Sequence, residues 1–74
     1  MNYFEMIKSE LDERLDGQTL ELDSEFKNLG IGSWELVELV YDLEEEIGIE
    51  FKDEELLKIK TVKDLLDLID AKTK

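Results

Sequence analysis

Residues 32–48, Gly32-Ser33-Trp34-Glu35-Leu36-Val37-Glu38-Leu39-Val40-Tyr41-Asp42-Leu43-Glu44-Glu45-Glu46-Ile47-Gly48, decide how this chain folds. Leu36, Leu39, Val40, Leu43 and Ile47 recur at three- and four-residue spacing, which draws a continuous apolar stripe along an α-helix. The helix is expected to open at Ser33, a residue type that caps helix starts. It is expected to close at Gly48, because glycine accepts the left-handed backbone that ends helices.

Upstream, Asn2 is placed to cap a first helix, with Glu5 reaching back as in a capping box. Phe4, Ile7, Leu11 and Leu15 then share one stripe, and Asp16-Gly17 is a natural stop. Between Gly17 and Gly32 neither helical nor strand period is sustained, and Leu20, Leu22, Phe26, Leu29 and Ile31 are scattered anchors. A connection this long points to a loop packed by its own side chains. Downstream, Ile49-Glu50-Phe51 reads as an extended link, and Asp53 as the cap of a brief helix through Lys58. Leu56, Leu57 and Ile59 are its candidate core contacts. Thr61 with Asp64 makes a reciprocal cap for a last helix that turns Val62, Leu65, Leu66 and Ile69 inward. The expected fold is all-α: a small four-helix bundle, three main helices plus one short helix, with a long first loop, as a single domain over residues 1–74.

Composition excludes much chemistry. The 74 residues carry 21 Asp plus Glu against 9 Lys plus Arg, a net charge of -12. Such a chain repels phosphate backbones and anionic membrane surfaces, so neither nucleic-acid binding nor membrane insertion is expected. With no cysteine and no histidine, the usual nucleophile, general base and metal ligands are missing, and catalytic and metal-binding residues are both expected to be none. A chain this short is also expected to have little room for a walled pocket. The longest apolar run is Leu39-Val40-Tyr41, too short to span a bilayer, and the first residues lack a signal-peptide pattern, so the cytoplasm is the expected compartment. Hydrophobic residues make up 42% of the chain, enough for a folded but modest core.

Three features invite a functional reading. Residues 35–55 hold ten acids (Glu35, Glu38, Asp42, Glu44, Glu45, Glu46, Glu50, Asp53, Glu54 and Glu55) against the single base Lys52. Glu38/Asp42 and Asp42/Glu46 are like charges four apart, each costing ~0.2–0.5 kcal/mol. Glu44, Glu45 and Glu46 also crowd the helix end where the dipole disfavours anions. Selection for stability alone would place lysines there, whereas a concentrated negative face steers basic partners. Second, Trp34, Val37 and Tyr41 lie off the apolar stripe: either Trp34 folds onto the loop and completes the core, or these residues form a docking patch ringed by acids. Third, Ser33 either is only an N-cap or, with Gly30 and Gly32 leaving backbone room, is a point of attachment at a helix start that favours phosphate.

The run from Phe26 through Leu29-Gly30, Ser33, Val37-Glu38-Leu39-Val40 and Leu43-Glu44-Glu45-Glu46-Ile47 resembles the core of acyl carrier proteins, in which Leu-Gly leads to Asp-Ser-Leu, Val-Glu-Leu-Val and Leu-Glu-Glu-Glu. Ile49 to Glu55 and Ile59-Lys60-Thr61-Val62 resemble the same family's third-helix start and fourth-helix cap, so the likeness spans roughly residues 22 to 70. The resemblance implies a non-catalytic carrier whose motif serine, here Ser33, receives 4'-phosphopantetheine covalently from coenzyme A through a phosphopantetheinyl transferase. The arm's thiol would then carry acyl groups as thioesters to fatty-acid or polyketide-type biosynthetic enzymes, and the chain itself needs no cysteine. By position, the resemblance makes Glu35, Glu38, Glu44 and Glu45 the contacts for basic patches on loading, condensing and modifying enzymes. Leu36, Val37 and Tyr41 become their apolar contacts, and Leu43, Ile47, Ile59 and Leu65 the lining for a sheltered acyl chain. A monomer is expected.

The sequence also departs from that pattern. Gly32 and Trp34 stand where the motif has Asp and Leu, the turn between Phe26 and Leu29 is one residue shorter, and Lys52 replaces a common proline. A carrier of aminoacyl groups, a carrier for a specialised lipid or natural-product pathway, and an unmodified acidic docking module are the alternatives. Calcium binding has acids enough but no Asp-x-Asp-x-Asp-Gly loop.

Overall fold

The computed structural model describes residues 2–73, and among them the regular structure is helical. Helix α1 spans Tyr3–Leu15, α2 Ser33–Ile47, α3 Asp53–Leu56 and α4 Val62–Thr73, with a 3-10 turn at Phe26–Leu29 inside the first connection. The expected all-α bundle of three main helices and one short one is what forms.

Each helix starts where local chemistry satisfies its first backbone N–H groups. Asn2 caps α1, its Oδ1 accepting the Glu5 N–H at 3.1 Å, while the return bond expected from the Glu5 carboxylate is not made among the described residues. At α4 the box is complete: Thr61 Oγ1 accepts the Asp64 N–H at 3.2 Å, and Asp64 Oδ2 accepts the Thr61 and Lys60 N–H groups at 3.1 Å each. These backbone donors, first that of Lys60 and then that of Thr61, hold the Asp64 carboxyl below the usual aspartate range.

Two expected caps shift by one residue. Gly32 is the N-cap of α2, so Ser33 is the first helical residue. Lys52 is the N-cap of α3, with Glu55 Oε1 accepting its N–H at 2.8 Å, and Asp53 lies inside the helix. That bond, followed by the Lys72 ammonium at 2.9 Å, draws the Glu55 carboxyl below the usual range. At the end of α1 the left-handed position falls first on Asp16, φ 47°, with Gly17 following at 86°.

The core is built from the expected stripes. Ile7, Leu11 and Leu15 of α1, Leu39, Val40 and Leu43 of α2, and Val62, Leu65 and Ile69 of α4 are buried together. From the connections, Leu20, Phe26, Leu29, Ile31 and Ile59 join them. Two expected anchors do not: Leu57 is 83% exposed and Leu22 52% exposed. α3 ends at Leu56, and the turn over Leu57-Lys58 swings Leu57 outward before Ile59 returns to the core.

The long first connection is held by more than its side chains. Glu25 and Thr61 form an isolated antiparallel bridge, with Phe26 N–H donating to Lys60 O at 3.0 Å and Val62 N–H to Ser24 O at 3.1 Å. Lys63 N–H reaches Leu22 O at 2.9 Å. The loop is thereby fastened to the start of α4, which brings residues 25–33 alongside residues 59–61.

Candidate functional site

Ser33 occupies the first turn of α2 and is exposed. Because Gly32 is the capping residue, the hydroxyl is not consumed in satisfying a helix donor, and it makes no hydrogen bond among the described residues. The N-cap role weighed for it is therefore not the one it plays. A Cβ built on Gly32 would meet nothing closer than 3.9 Å, the Glu35 Oε1, so approach to the serine is open. The sequence has no histidine or cysteine to serve as an activating base for this hydroxyl.

Beside Ser33 lies an open cleft of about 320 Å³. That is ligand-sized, within the ~300–1,000 Å³ span of small-molecule sites, and larger than so short a chain was expected to hold. Phe26, Ile31, Leu36 and Ile59 supply its apolar walls, and Glu25, Lys27 and Lys60 its charged ones. Of the four residues expected to line an acyl shelter, the structure brings only Ile59 to this cleft. Leu43 and Leu65 are fully sealed in the core. Ile47 sits at the far end of α2, roughly 20 Å from Ser33 at 1.5 Å per residue. The bridge between Glu25 and Thr61 holds the two lining segments side by side, and a contact between residues so far apart has no local sequence signal.

The exposed side of α2 carries the other residues singled out in the sequence. Trp34 is 73% exposed and Tyr41 59% exposed, with Val37 half-buried between them at helical spacing. Trp34 therefore does not complete the core, which settles that alternative. Glu38 and Glu45 are exposed on the same face. Glu35 and Glu38 are not free acids: the Arg14 guanidinium of α1 bonds Glu35 and lies 3.6 Å from Glu38. Glu44 is turned aside, half-buried with Oε2 accepting the Phe51 N–H at 2.8 Å, so it fixes the link to α3.

A second acidic group was missed in the sequence. Glu10 of α1 meets Asp42 and Glu46 of α2, and burial, then Glu46, then Asp42, push its carboxyl above the ordinary glutamate value. Among the described residues there is no grouping of carboxylates suited to holding a metal ion, and no helix is long and apolar enough to cross a membrane.

The four-helix bundle thus offers an exposed, unbonded serine at a glycine-capped helix start, beside a ligand-sized cleft. The family model described as "Phosphopantetheine attachment site" matches residues 5–69. The chain is 43% identical over 74 residues to the acyl carrier protein of Helicobacter hepaticus, covering 96% of this chain and 97% of that one. It is 52% identical over 52 residues to the acyl carrier protein homolog of Mycoplasmopsis pulmonis, covering 70% and 71%. The crystal structure of the acyl carrier protein from Thermotoga maritima superposes with a TM-score of 0.80 at 36% identity, covering 96% of this chain and 82% of that one. The chain belongs to the acyl carrier protein family. It is a carrier and not an enzyme, its cofactor is covalently attached 4'-phosphopantetheine, and it works with a phosphopantetheinyl transferase and biosynthetic enzymes.

Proposed function

We propose that Ser33 is the attachment point, and that residues 1–74 form one carrier domain that presents acyl thioesters to enzymes with basic docking patches. The observation that carries this reading is the state of the Ser33 hydroxyl: exposed, unbonded, preceded by a glycine cap and opening onto the cleft. The transferase supplies the activation that the chain lacks, and coenzyme A supplies the arm. The arm contributes the thiol on which acyl groups are held. The chain contributes a fixed helix start, an unobstructed approach and a docking face.

That face is the exposed side of α2. Trp34, Val37 and Tyr41 are its apolar contacts, Glu45 is its steering charge, and Glu38 adds to it although Arg14 lies 3.6 Å away. Glu35 takes part through an ion pair that a basic partner must replace, since Arg14 already bonds it. Leu36 is half-buried on the cleft wall and Glu44 is held by Phe51, so both support the face from beneath rather than meet a partner directly. With net charge -12, the carrier is read as a monomer of the cytoplasm that binds neither nucleic acid nor membrane. Trp34 and Gly32 beside the attachment point favour a partner set tuned to this chain, as in a specialised pathway.

Incubation with coenzyme A, magnesium and a broad-specificity phosphopantetheinyl transferase, followed by intact mass and peptide mapping, tests the attachment. One added phosphopantetheine on the Ser33 peptide is expected. A folded, unmodified product beside a modified control carrier would leave only a dedicated transferase or the docking-module reading.

A further inference from the structure

We propose that Lys27 and Lys60 hold the phosphodiester of the attached arm and so direct the arm into the cleft beside Ser33, an inference that rests on Ser33 being the attachment point. Charge placement argues for it. In a chain of net charge -12, the walls of this cleft carry two lysines against one glutamate. The neighbouring depression between α1 and α2 is lined instead by Glu10, Glu35, Glu38 and Asp42 against Arg14. A group joined to Ser33 meets cations on one side and carboxylates or bare helix face on the other.

The cleft lysines are also available. Neither ammonium is in an ion pair among the described residues, whereas Arg14 and Lys72 are both taken up by glutamates. The charge of Lys60 is felt by Asp64, but that carboxylate is held chiefly by backbone N–H groups, including that of Lys60 itself. The one acid on the wall, Glu25, accepts a hydrogen bond from Asn28 Nδ2 at 3.1 Å, which turns part of its charge to a neighbour. Gly32 adds neither charge nor bulk next to the serine. A phosphodiester bonded to Ser33 Oγ is anionic at every working pH and is tethered at the wall that both lysines share. Paired there, it would leave the uncharged remainder of the arm facing Phe26, Ile31 and Ile59 instead of solvent over Trp34.

Amide NMR on the apo and holo forms of the parent and of a Lys27→Gln/Lys60→Gln double variant tests this, with intact mass confirming modification of each sample. Attachment to the parent is expected to shift amides at Phe26, Ile31, Ile59 and Lys60, of which the last two lie too far along the chain for a through-bond effect. In the double variant these shifts are expected to lose most of their size, and in the parent to shrink as salt is raised to about 0.5 M, where the Debye length falls to a few ångströms. Shifts confined to residues 32–34 would overturn the inference while leaving the attachment intact. Cleft shifts indifferent to both the variant and salt would overturn the role of the lysines. A mass gain mapped to a peptide without Ser33 would instead sink the Ser33 assignment, and this inference with it. Both lysines are exposed, and a single Lys60→Gln variant that retains the backbone cap to Asp64 guards against loss of fold.

Discussion

Glu10→Gln should stabilise this protein near neutral pH and do little in mild acid. Glu10 of α1 faces Asp42 and Glu46 of α2, whose charges act on its carboxyl. The native state pushes its carboxyl above the ordinary value of 4.5, first by burial and then through Glu46 and Asp42. A carboxyl whose native pKa is raised binds its proton more tightly when folded. Its contribution is therefore fully present below the unfolded pKa and is lost as pH rises through the folded one. At neutral pH the parent bears two like-charge contacts. At ~0.2–0.5 kcal/mol each for solvent-facing pairs, removing them gains about 0.4–1 kcal/mol. For a domain of this size that is a rise in melting temperature of roughly 2–8 °C. Glutamine keeps the shape and supplies N–H donors to both neighbours, imitating the protonated acid. Thermal melts of parent and variant between about pH 4.5 and 7.5 should show the gap closing as the parent's Glu10 takes up its proton. Glu13→Gln, on the exposed side of α1, removes the same charge elsewhere and controls for net charge. A Glu10→Gln gain that is absent at neutral pH, constant with pH, or matched by Glu13→Gln would refute the reasoning.

Thr61→Ala should cost about 0.5–2 kcal/mol by chemical denaturation, since it removes half of the α4 capping box; a loss under a few tenths would show the cap to be idle. The Asp64 contribution has the opposite pH sign to that of Glu10. Its carboxyl is lowered, so the stability gap between parent and Asp64→Asn should be present at neutral pH and shrink as pH falls through the aspartate range. Leu43→Ala, at a fully buried site, should cost about 2.7–5 kcal/mol and bring so small a domain close to unfolding. Leu57→Ala, at an exposed one, should change stability by less than about 0.5 kcal/mol. Melting temperature should rise with salt or millimolar divalent cations, because screening relieves repulsion among the acids of residues 35–55; a melting point indifferent to both would contradict the repulsion.

The parts of the fold legible in the sequence are those governed by contacts within a few residues. The stripe from Leu36 to Ile47, the stop at Gly48 and the Thr61–Asp64 box each rest on spacings of three or four, and each forms as read. Cap positions were less secure: a serine after a glycine can be either cap or first turn, and here Gly32 takes the cap and frees Ser33. What failed was non-local. The bridge between Glu25 and Thr61 joins segments far apart in sequence, and with it Lys27, Lys60 and Ser33 come to line one cleft. Glu10 was likewise unremarkable on α1 until α2 packed against it. Leu57 misled because the apolar pattern counts residues without knowing where α3 stops, and a helix ending at Leu56 turns the next side chain outward. Glu44 and Glu45 look alike in sequence, yet one is bound to the Phe51 backbone and the other is exposed.

Everything proposed for this carrier turns on Ser33 bearing the arm. Intact mass of parent and Ser33→Ala after treatment with coenzyme A, magnesium and transferase tests it most directly, with circular dichroism confirming that both are folded. The parent is expected to gain one phosphopantetheine and the variant none. A variant that gains the same mass, or a parent modified on a peptide without Ser33, would contradict it.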